Sequence, residues 1–447
     1  YFLQSSFLHG DKIALSAHLV MDPKDPPNGP GRELAPIPLR PKVLEGSPFY
    51  LESTNETVLK TVLKADGFKL TSLDLEQNPP RLQLVNQKYR STAQALGRAA
   101  RTASRYLSDN FDSFYIEFIE DDLVLLSAEI NRNQLITSVV SAETSENFLD
   151  TVKFQDTTAL GFDQSDSKKF SWSIGPYVEY SLFDPLAPIR GEVGAELFTQ
   201  YTLGSGFYTD GRVRKSLVGN FDKVLRQSDS VLPHVRSDHD IYGRDGDPGI
   251  DQLTITKVNK IMPSVYGKLT AGYLEKMFAG VSGEILWKPI SSSLGIGIEL
   301  SQVQQRNFDM LWGLQDYQVT TGHLSAYYYF KNGFMTQLDA GQYLAGDRGY
   351  TLRVGRKFGN GWNMGAYATV TNVPFAKFGE GSYDKGIFAE IPLDWSIGSP
   401  YRTTSKIEFN VMTRDGGAKL HTPYKLHKYL FNNDKNAIYR EAGRLWK

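Results

Sequence analysis

Carboxylates and cations recur through the C-terminal two thirds of this sequence at alternating positions, opposite small or apolar residues, and that spacing limits what chemistry they can do. The set is Glu179, Glu192, Glu196, Arg212, Arg214, Glu284, Glu299, His323, Asp339, Arg353, Asp384, Glu390, Lys406 and Glu408, with Tyr327 and Tyr367 among them. Alternate residues of a strand point to one side, so these groups are candidates for lining one lumen. There they can pair across the space and hold its shape, or line a wet passage. Tyr327 and Tyr367, with Tyr177 and Tyr329, place aromatic faces beside polar groups, which suits a sugar ring as well as lumen packing.

Two local clusters look more like catalytic or metal chemistry and do not sustain it. Asp238, His239, Asp240, Asp245, Asp247 and Asp251 gather carboxylates around one imidazole, but their order does not match a calcium loop with its glycine and terminal glutamate. Gly280-Val281-Ser282-Gly283 lacks the second spaced glycine of a nucleophile elbow and lies in a strand-like run. The histidines are scattered singly. The expectation is a protein without catalytic residues, metal or cofactor.

The elements that carry these residues are strands. In 171–182, Trp172, Ile174, Pro176, Val178, Tyr180 and Leu182 oppose Ser173, Gly175, Tyr177, Glu179 and Ser181. The same split recurs in 192–203 and in 362–370, where Trp362, Met364, Ala366, Ala368 and Val370 oppose Asn363, Gly365, Tyr367 and Thr369. Repeated runs of this length are the mark of a transmembrane β-barrel. About 13 such runs fall in 171–414. A bacterial single-chain barrel takes an even number, so the prediction is an antiparallel barrel of 12 or 14 strands. Connections at 184–190, 218–250 and 306–314 are long, whereas Ser205, 331–333 and 359–361 mark tight turns, which orients the barrel. A soluble sandwich also alternates, with its apolar face turned inward. Run length, nearly uncharged apolar faces and glycine-rich polar faces favour the membrane.

Composition agrees. Among 447 residues there are 24 Tyr, 25 Phe and 40 Gly, suited to many turns and to aromatic girdles. No run reaches the roughly 18 apolar residues of a membrane helix. A net charge of −1 excludes a nucleic-acid binder held by a basic surface, and the absence of cysteine excludes disulfides and thiol chemistry. The chain starts at Tyr1, so it is expected to be a processed or truncated product whose export signal is not readable.

Residues 1–45 read as one strand over 12–21 followed by a Pro/Gly-rich linker. A strand needs partners, and this one is taken as the last strand of an upstream barrel, the alternative being an edge strand of the next domain. Residues 46–150 change period and predict a small α/β domain. Ser53 and Glu56 form a capping box for a helix over 54–66 with Val58, Leu59, Val62 and Leu63 on one face, ended by Gly67. Short strands over 68–75 and 81–85 precede a helix over 88–107, and a hairpin across Asp121 and Asp122 closes the unit. Arg98, Arg101 and Arg105 share one face of the second helix, either solvated or directed at anionic headgroups or an acidic polymer. Residues 151–447 form the C-terminal barrel.

Several stretches resemble the YjbH and GfcD family of outer-membrane proteins from exopolysaccharide and group 4 capsule operons. They are Leu232-Pro233-His234-Val235-Arg236-Ser237-Asp238, the run from Gly280 to Pro289, Gln342-Tyr343-Leu344-Ala345-Gly346-Asp347-Arg348-Gly349, the long run from Val373 to Ile387, and Thr413-Arg414-Asp415-Gly416-Gly417-Ala418. The resemblance implies a long, lipoprotein-like protein of two barrels with a periplasmic region between them, and no catalytic site. On this reading the protein sits in the outer-membrane bilayer and helps export or assemble an exopolysaccharide or capsular polymer. Its α/β domain then lies in the periplasm and docks other proteins of the exopolysaccharide operon. A general porin-like or structural barrel, and a barrel enzyme acting on lipid or polysaccharide, are the alternatives.

Overall fold

The structure is a computed structural model that describes residues 2–8, 12–18, 33–120, 123–141, 144–156, 170–182, 189–220, 230–374, 383–410 and 415–447. The Asp121-Asp122 turn, most of the Pro/Gly-rich linker, most of the 184–190 connection and much of the long 373–387 motif lie outside the described residues. At the N-terminus, β1 (Phe2–Leu8) pairs antiparallel with β2 (Lys12–His18). Of the strand expected over 12–21, the described part is Lys12–His18, and it pairs with β1.

An α/β unit follows. It runs α1 (Glu56–Ala65), β3 (Phe68–Asp74), β4 (Arg81–Asn86), α2 (Thr92–Tyr106), β5 (Ser113–Glu120), β6 (Leu123–Asn131), α3 (Arg132–Val140), α4 (Ser145–Thr151) and β7 (Lys153–Gln155), with sheet order β3-β4-β5-β6-β7. Only β4 and β5 run parallel, because α2 crosses between them. Leu59 and Leu63 of α1 are buried as expected, but Val58 is exposed. The cap is Asn55, not Ser53: its Oδ1 accepts from the Val58 N–H at 3.1 Å, and the helix starts two residues later than expected, at Glu56. Gly67 takes φ +90°, and a Cβ there would meet the Lys88 side chain at 2.5 Å. The strand β7 carries the sheet past residue 150.

The basic stripe of α2 is not a solvated face. Arg98 is 2 % exposed, donates to Asp66 at 2.9 Å and to Glu33 at 3.0 Å, and also donates to the carbonyl of Lys447 at 3.0 Å. Arg101 lies 5.5 Å from the Trp446 ring, and Arg105 donates to the Pro38 carbonyl. Alternation of charge on a helix marks exposure only when nothing else covers the helix, and here the chain's own C-terminus does.

The larger body is one antiparallel sheet of 13 strands in sequence order. These are β8 (Phe170–Leu182), β9 (Ile189–Gly204), β10 (Phe207–Gly219), β11 (Gly249–Met262), β12 (Val265–Tyr273), β13 (Phe278–Trp287), β14 (Leu294–Arg306), β15 (Leu314–Tyr329), β16 (Phe334–Gln342), β17 (Arg348–Lys357), β18 (Asn363–Thr371), β19 (Asp384–Pro392) and β20 (Thr404–Asn410). Among the described residues the sheet has 13 strands, where 12 or 14 were expected. Evenness is required only where an antiparallel ladder closes on itself. Here β8 and β20 point the same way, and no ladder joins them among the described residues. The sheet is nonetheless curled enough to bring them together. The Tyr180 hydroxyl donates to the Glu408 carbonyl at 3.3 Å, and the rings of Tyr180 and Phe409 lie 6.0 Å apart.

Polarity across this sheet is the reverse of a water-soluble one. On β14, Ile298 and Leu300 are 53 % and 62 % exposed while Ser301 is 4 % exposed; on β15, Leu324 is exposed between buried His323 and Ser325. Val281, Ile285 and Trp287 of β13 face out, with Ser282 and Glu284 buried. Exposed aromatic residues gather near both ends of the strands: Trp172, Tyr201, Phe207, Trp287, Tyr328 and Phe334 at the end with tight turns, and Tyr180, Tyr350 and Phe409 at the other. Aliphatic side chains such as Leu269, Leu338, Leu352 and Ile387 lie between them.

The α/β unit docks at the end with tight turns. Arg90 reaches Asp394 at 3.2 Å in α6 (Leu393–Ile397), and Arg402 reaches Glu120 at 2.7 Å. Asp156 accepts from Lys260 at 3.3 Å and from the Ser264 hydroxyl.

Within the α/β unit the buried carboxylate of Asp109 accepts from Arg40 at 2.9 and 3.0 Å, from Arg132 at 3.2 Å and from the Leu51 N–H at 2.9 Å. Burial pushes its carboxyl up, but the two guanidiniums and the amide outweigh this and hold it below the usual carboxylate range. Its contribution to stability is complete above the ordinary aspartate pKa of about 4 and disappears as pH falls through the lowered folded value. Asp109→Asn leaves Arg132 buried without a counter-charge, and is expected to cost the unit about 3–5 kcal/mol. Hydrogen exchange of β5 and β6 at neutral pH checks this; wild-type protection in the variant would contradict it.

Candidate functional site: a polar interior threaded by the C-terminal segment

After β20 the chain turns back and runs along the inner face of the sheet. Residues 415–447 carry α7 (Leu426–Asn433), α8 (Lys435–Arg440) and a short 3-10 turn over Ala442–Arg444. At the end with long loops, Asp415 accepts from the N–H groups of Arg236 and Ser237 at 2.8 and 2.9 Å and from the Ser237 hydroxyl at 2.8 Å. The Gly417 N–H donates to Asp347 at 2.8 Å, and the Leu344 N–H to the Ala418 carbonyl at 2.9 Å. Gly417 has φ +73°, and a Cβ there would lie 2.7 Å from Thr369, so only glycine passes this point. Arg236 makes two bonds to Glu275, at 2.8 and 3.1 Å, and a third to the Lys419 carbonyl at 2.7 Å. Three of the stretches that carry the family resemblance thus meet where the segment enters.

Deeper in, lysines of the segment meet carboxylates of the strands. Lys419 pairs with Asp339 at 2.6 Å, Lys425 pairs with Glu299, and Lys428 stands 3.9 Å from Glu390. Glu284 is held by Lys268 at 2.9 Å and accepts from the Leu426 N–H at 3.2 Å. His427 stacks on Tyr327 with centroids 4.6 Å apart, and Phe431 stacks on Tyr329 at 4.4 Å. The glycine at 295 makes the room, since a Cβ there would lie 2.9 Å from the Phe431 ring. Lys288 then binds Asp434 at 2.8 Å. The segment finishes in the α/β unit, where Ile438, Ala442 and Leu445 are buried in its core.

The sequence-predicted lining residues fall in three groups on this inner face. Glu179 accepts from Arg214 at 2.7 Å, Lys276 at 2.5 Å and His239 at 2.9 Å; Arg214 also reaches Glu196 at 3.4 Å and Asp251 at 3.0 Å. Arg212 stands 3.6 Å from Glu196, and Glu192 accepts from Tyr177. The second group is Glu284, Glu299, His323, Tyr327 and Asp339, around the segment. The third is Arg353, 3.5 Å from Glu408 and over the rings of Phe388 and Tyr367 at 4.4 and 5.2 Å, with Lys406 on the other oxygen of Glu408. Glu390 accepts from Asn363 at 2.9 Å, and Asp384 lies on the same wall. The acidic loop does not converge on a cation. Asp238 pairs with His234, Asp240 with Arg190, Asp245 with Arg244, Asp247 with Lys215 and Asp251 with Arg214.

Between the segment and the wall from β14 to β20 lies a cavity of about 890 Å³. It extends from Arg236 and Gly417 at the long-loop end to Tyr89, Arg90 and Arg402 at the α/β unit. Three buried polar atoms of residues that line it have no hydrogen-bond partner among the described residues: Nε2 of His323, Oδ1 of Asn363 and Nδ1 of His427. Lys419, Lys425, Lys428 and His427 escaped the sequence reading because they sit in a stretch without period 2.

The sheet thus encloses polar side chains on one face and exposes apolar ones on the other. The sequence model described as "Exopolysaccharide biosynthesis protein YbjH" matches residues 1–431, and the chain belongs to that YjbH family. It is 28 % identical over 427 residues to the lipoprotein YjbH of Escherichia coli (strain K12), an alignment that covers 90 % of this chain and 60 % of that protein. The chain therefore spans about 60 % of that relative's length. Among solved structures, in-vitro folded OmpT, an outer membrane protein of Vibrio cholerae, aligns over 49 % of this chain and 79 % of its own, at 10 % identity and a TM-score of 0.23.

Reversal of one ion pair tests the threading. Lys425→Glu sets two carboxylates against each other, and is expected to release α7 by about 3 kcal/mol or more, read as faster hydrogen exchange over 426–433. Adding Glu299→Lys should restore protection. Protection unchanged in the single variant, or unrestored in the double, would show that this contact does not hold the segment.

Proposed function

We propose that this protein is an outer-membrane β-barrel component of exopolysaccharide or capsule export, and that the polymer travels along the cavity beside the C-terminal segment. The observation that carries the proposal is the reversed polarity of the sheet. Leaving rows of Leu, Ile and Val in water forfeits about 25 cal/mol per Å², whereas lipid accepts them at no such cost. All the strands of this sheet but β20 have nine to sixteen described residues, roughly 30–50 Å at 3.3 Å per residue, enough to cross a tilted path through a bilayer. The aromatic residues near both strand ends match the two interfaces of a membrane. In this reading the tight turns and the α/β unit face the periplasm, where the unit docks other proteins of the exopolysaccharide system, and the long loops face outward.

The inner face suits a hydroxyl-rich chain. Tyr367 lines the cavity beside Gln337, Asp384 and Lys428, side chains that can donate and accept hydrogen bonds. Contacts that are many and individually weak let a polymer bind without stopping. No step of this requires catalysis, and the protein acts as a conduit.

Substitution inside the cavity tests this. Asn363→Trp fills space on the wall without touching the outer face. With the variant present in the outer membrane at wild-type amount, secreted polymer is expected to fall to the level of a strain lacking the protein. Wild-type secretion would overturn the conduit.

A further inference from the structure

A second, smaller hollow of about 220 Å³ opens at the end with tight turns. It lies between the β15–β16 turn at Lys331 to Gly333, the β17–β18 turn at Lys357 to Gly359, and the end of α8 at Arg440 and Glu441. Its one carboxylate, Glu441, is already held by Lys357 at 3.2 Å and Arg90 at 3.6 Å. Three cations remain. Lys331, Arg356 and Arg440 make no ion pair among the described residues, and Nη1 of Arg440 is buried without a partner although Nη2 donates to the Phe431 carbonyl at 3.2 Å.

The position of Arg356 gives the hollow a direction. Tyr350, Leu352 and Val354 precede it at every second residue on the outer face of β17, all exposed, so Arg356 ends an apolar row. Its guanidinium lies 5.1 Å from the Phe334 ring and 5.2 Å from the Phe358 ring, both of which are exposed. A charge on a lipid-facing strand is tolerated where it reaches the headgroups and is costly at the midplane. Unpaired cations, ring faces and aliphatic side chains directly below them are what an anionic headgroup and its acyl chains would each require.

We propose that this rim binds an anionic phospholipid, its phosphate held among Lys331, Arg356 and Arg440 and its chains laid on the outer face of β16 and β17. The site rests on the membrane reading above. It would fix the height of the protein in the inner leaflet and tie the lipid to α8, and so to the C-terminal segment.

Purified full-length chain in neutral detergent, titrated with phosphatidylglycerol or phosphatidylcholine and weighed by native mass spectrometry, tests it. Phosphatidylglycerol should be retained about tenfold better than phosphatidylcholine. Lys331→Gln with Arg356→Gln should remove that preference, and inorganic phosphate at millimolar concentration should not compete. Equal retention of both lipids, an unaffected double variant, or displacement by inorganic phosphate would each overturn the lipid site while leaving the membrane reading intact. Wild-type protein that stays monomeric without detergent and takes up no lipid would remove the membrane reading and the site together.

Discussion

A sheet that turns its charges inward must supply counter-charges inside, because an ion stripped of water and left unpaired costs several kcal/mol. Here the strands supply only part of the balance. Glu179 is neutralised within the wall and the loops by Arg214 and Lys276, and Glu284 by Lys268. Glu299 and Asp339 depend on Lys425 and Lys419, which come from the C-terminal segment. Shape and charge balance of the interior are therefore one problem, solved by bringing the end of the chain back through the sheet.

That solution couples two bodies. The segment is clamped at one end by Asp415 and Gly417 against the long loops, and at the other by Ile438 and Leu445 in the core of the α/β unit. Gly97 of α2 marks how close this second contact is, since a Cβ there would lie 1.8 Å from the Leu445 carbonyl oxygen. A displacement of the α/β unit therefore pulls on α7 and on the ion pairs that bound the cavity.

The strands were legible because their period of two is local: Trp172 to Tyr180 and Met364 to Val370 declare opposite faces without reference to anything else. Their charged residues were legible for the same reason, and they lie on the inner face together. The α/β unit was legible through its hydrophobic faces, down to Leu59, Leu63 and Gly67. What failed depends on contacts distant in sequence. The arginines of α2 look solvated until Lys447 and Trp446 are brought to them, and Asn55 displaces Ser53 as cap by a choice between neighbours that spacing does not decide. An even strand number follows only for a closed antiparallel ladder, and among the described residues the two edge strands run parallel. The C-terminal segment has no repeating pattern at all. Only its lysines, matched against carboxylates left over on the strands, could have pointed to it.

The central claim is that lipid covers the outer face. The chain has no cysteine, so single nitroxide labels can be placed at Leu300, Leu324 and Leu352 on the outer face and at Ser301 on the inner one, with the protein reconstituted in bilayers. Collision with oxygen should far exceed collision with a water-soluble nickel chelate at the three outer positions, and the ratio should reverse or collapse at Ser301. Outer positions that meet the chelate as readily as oxygen, or that meet neither, would contradict the account.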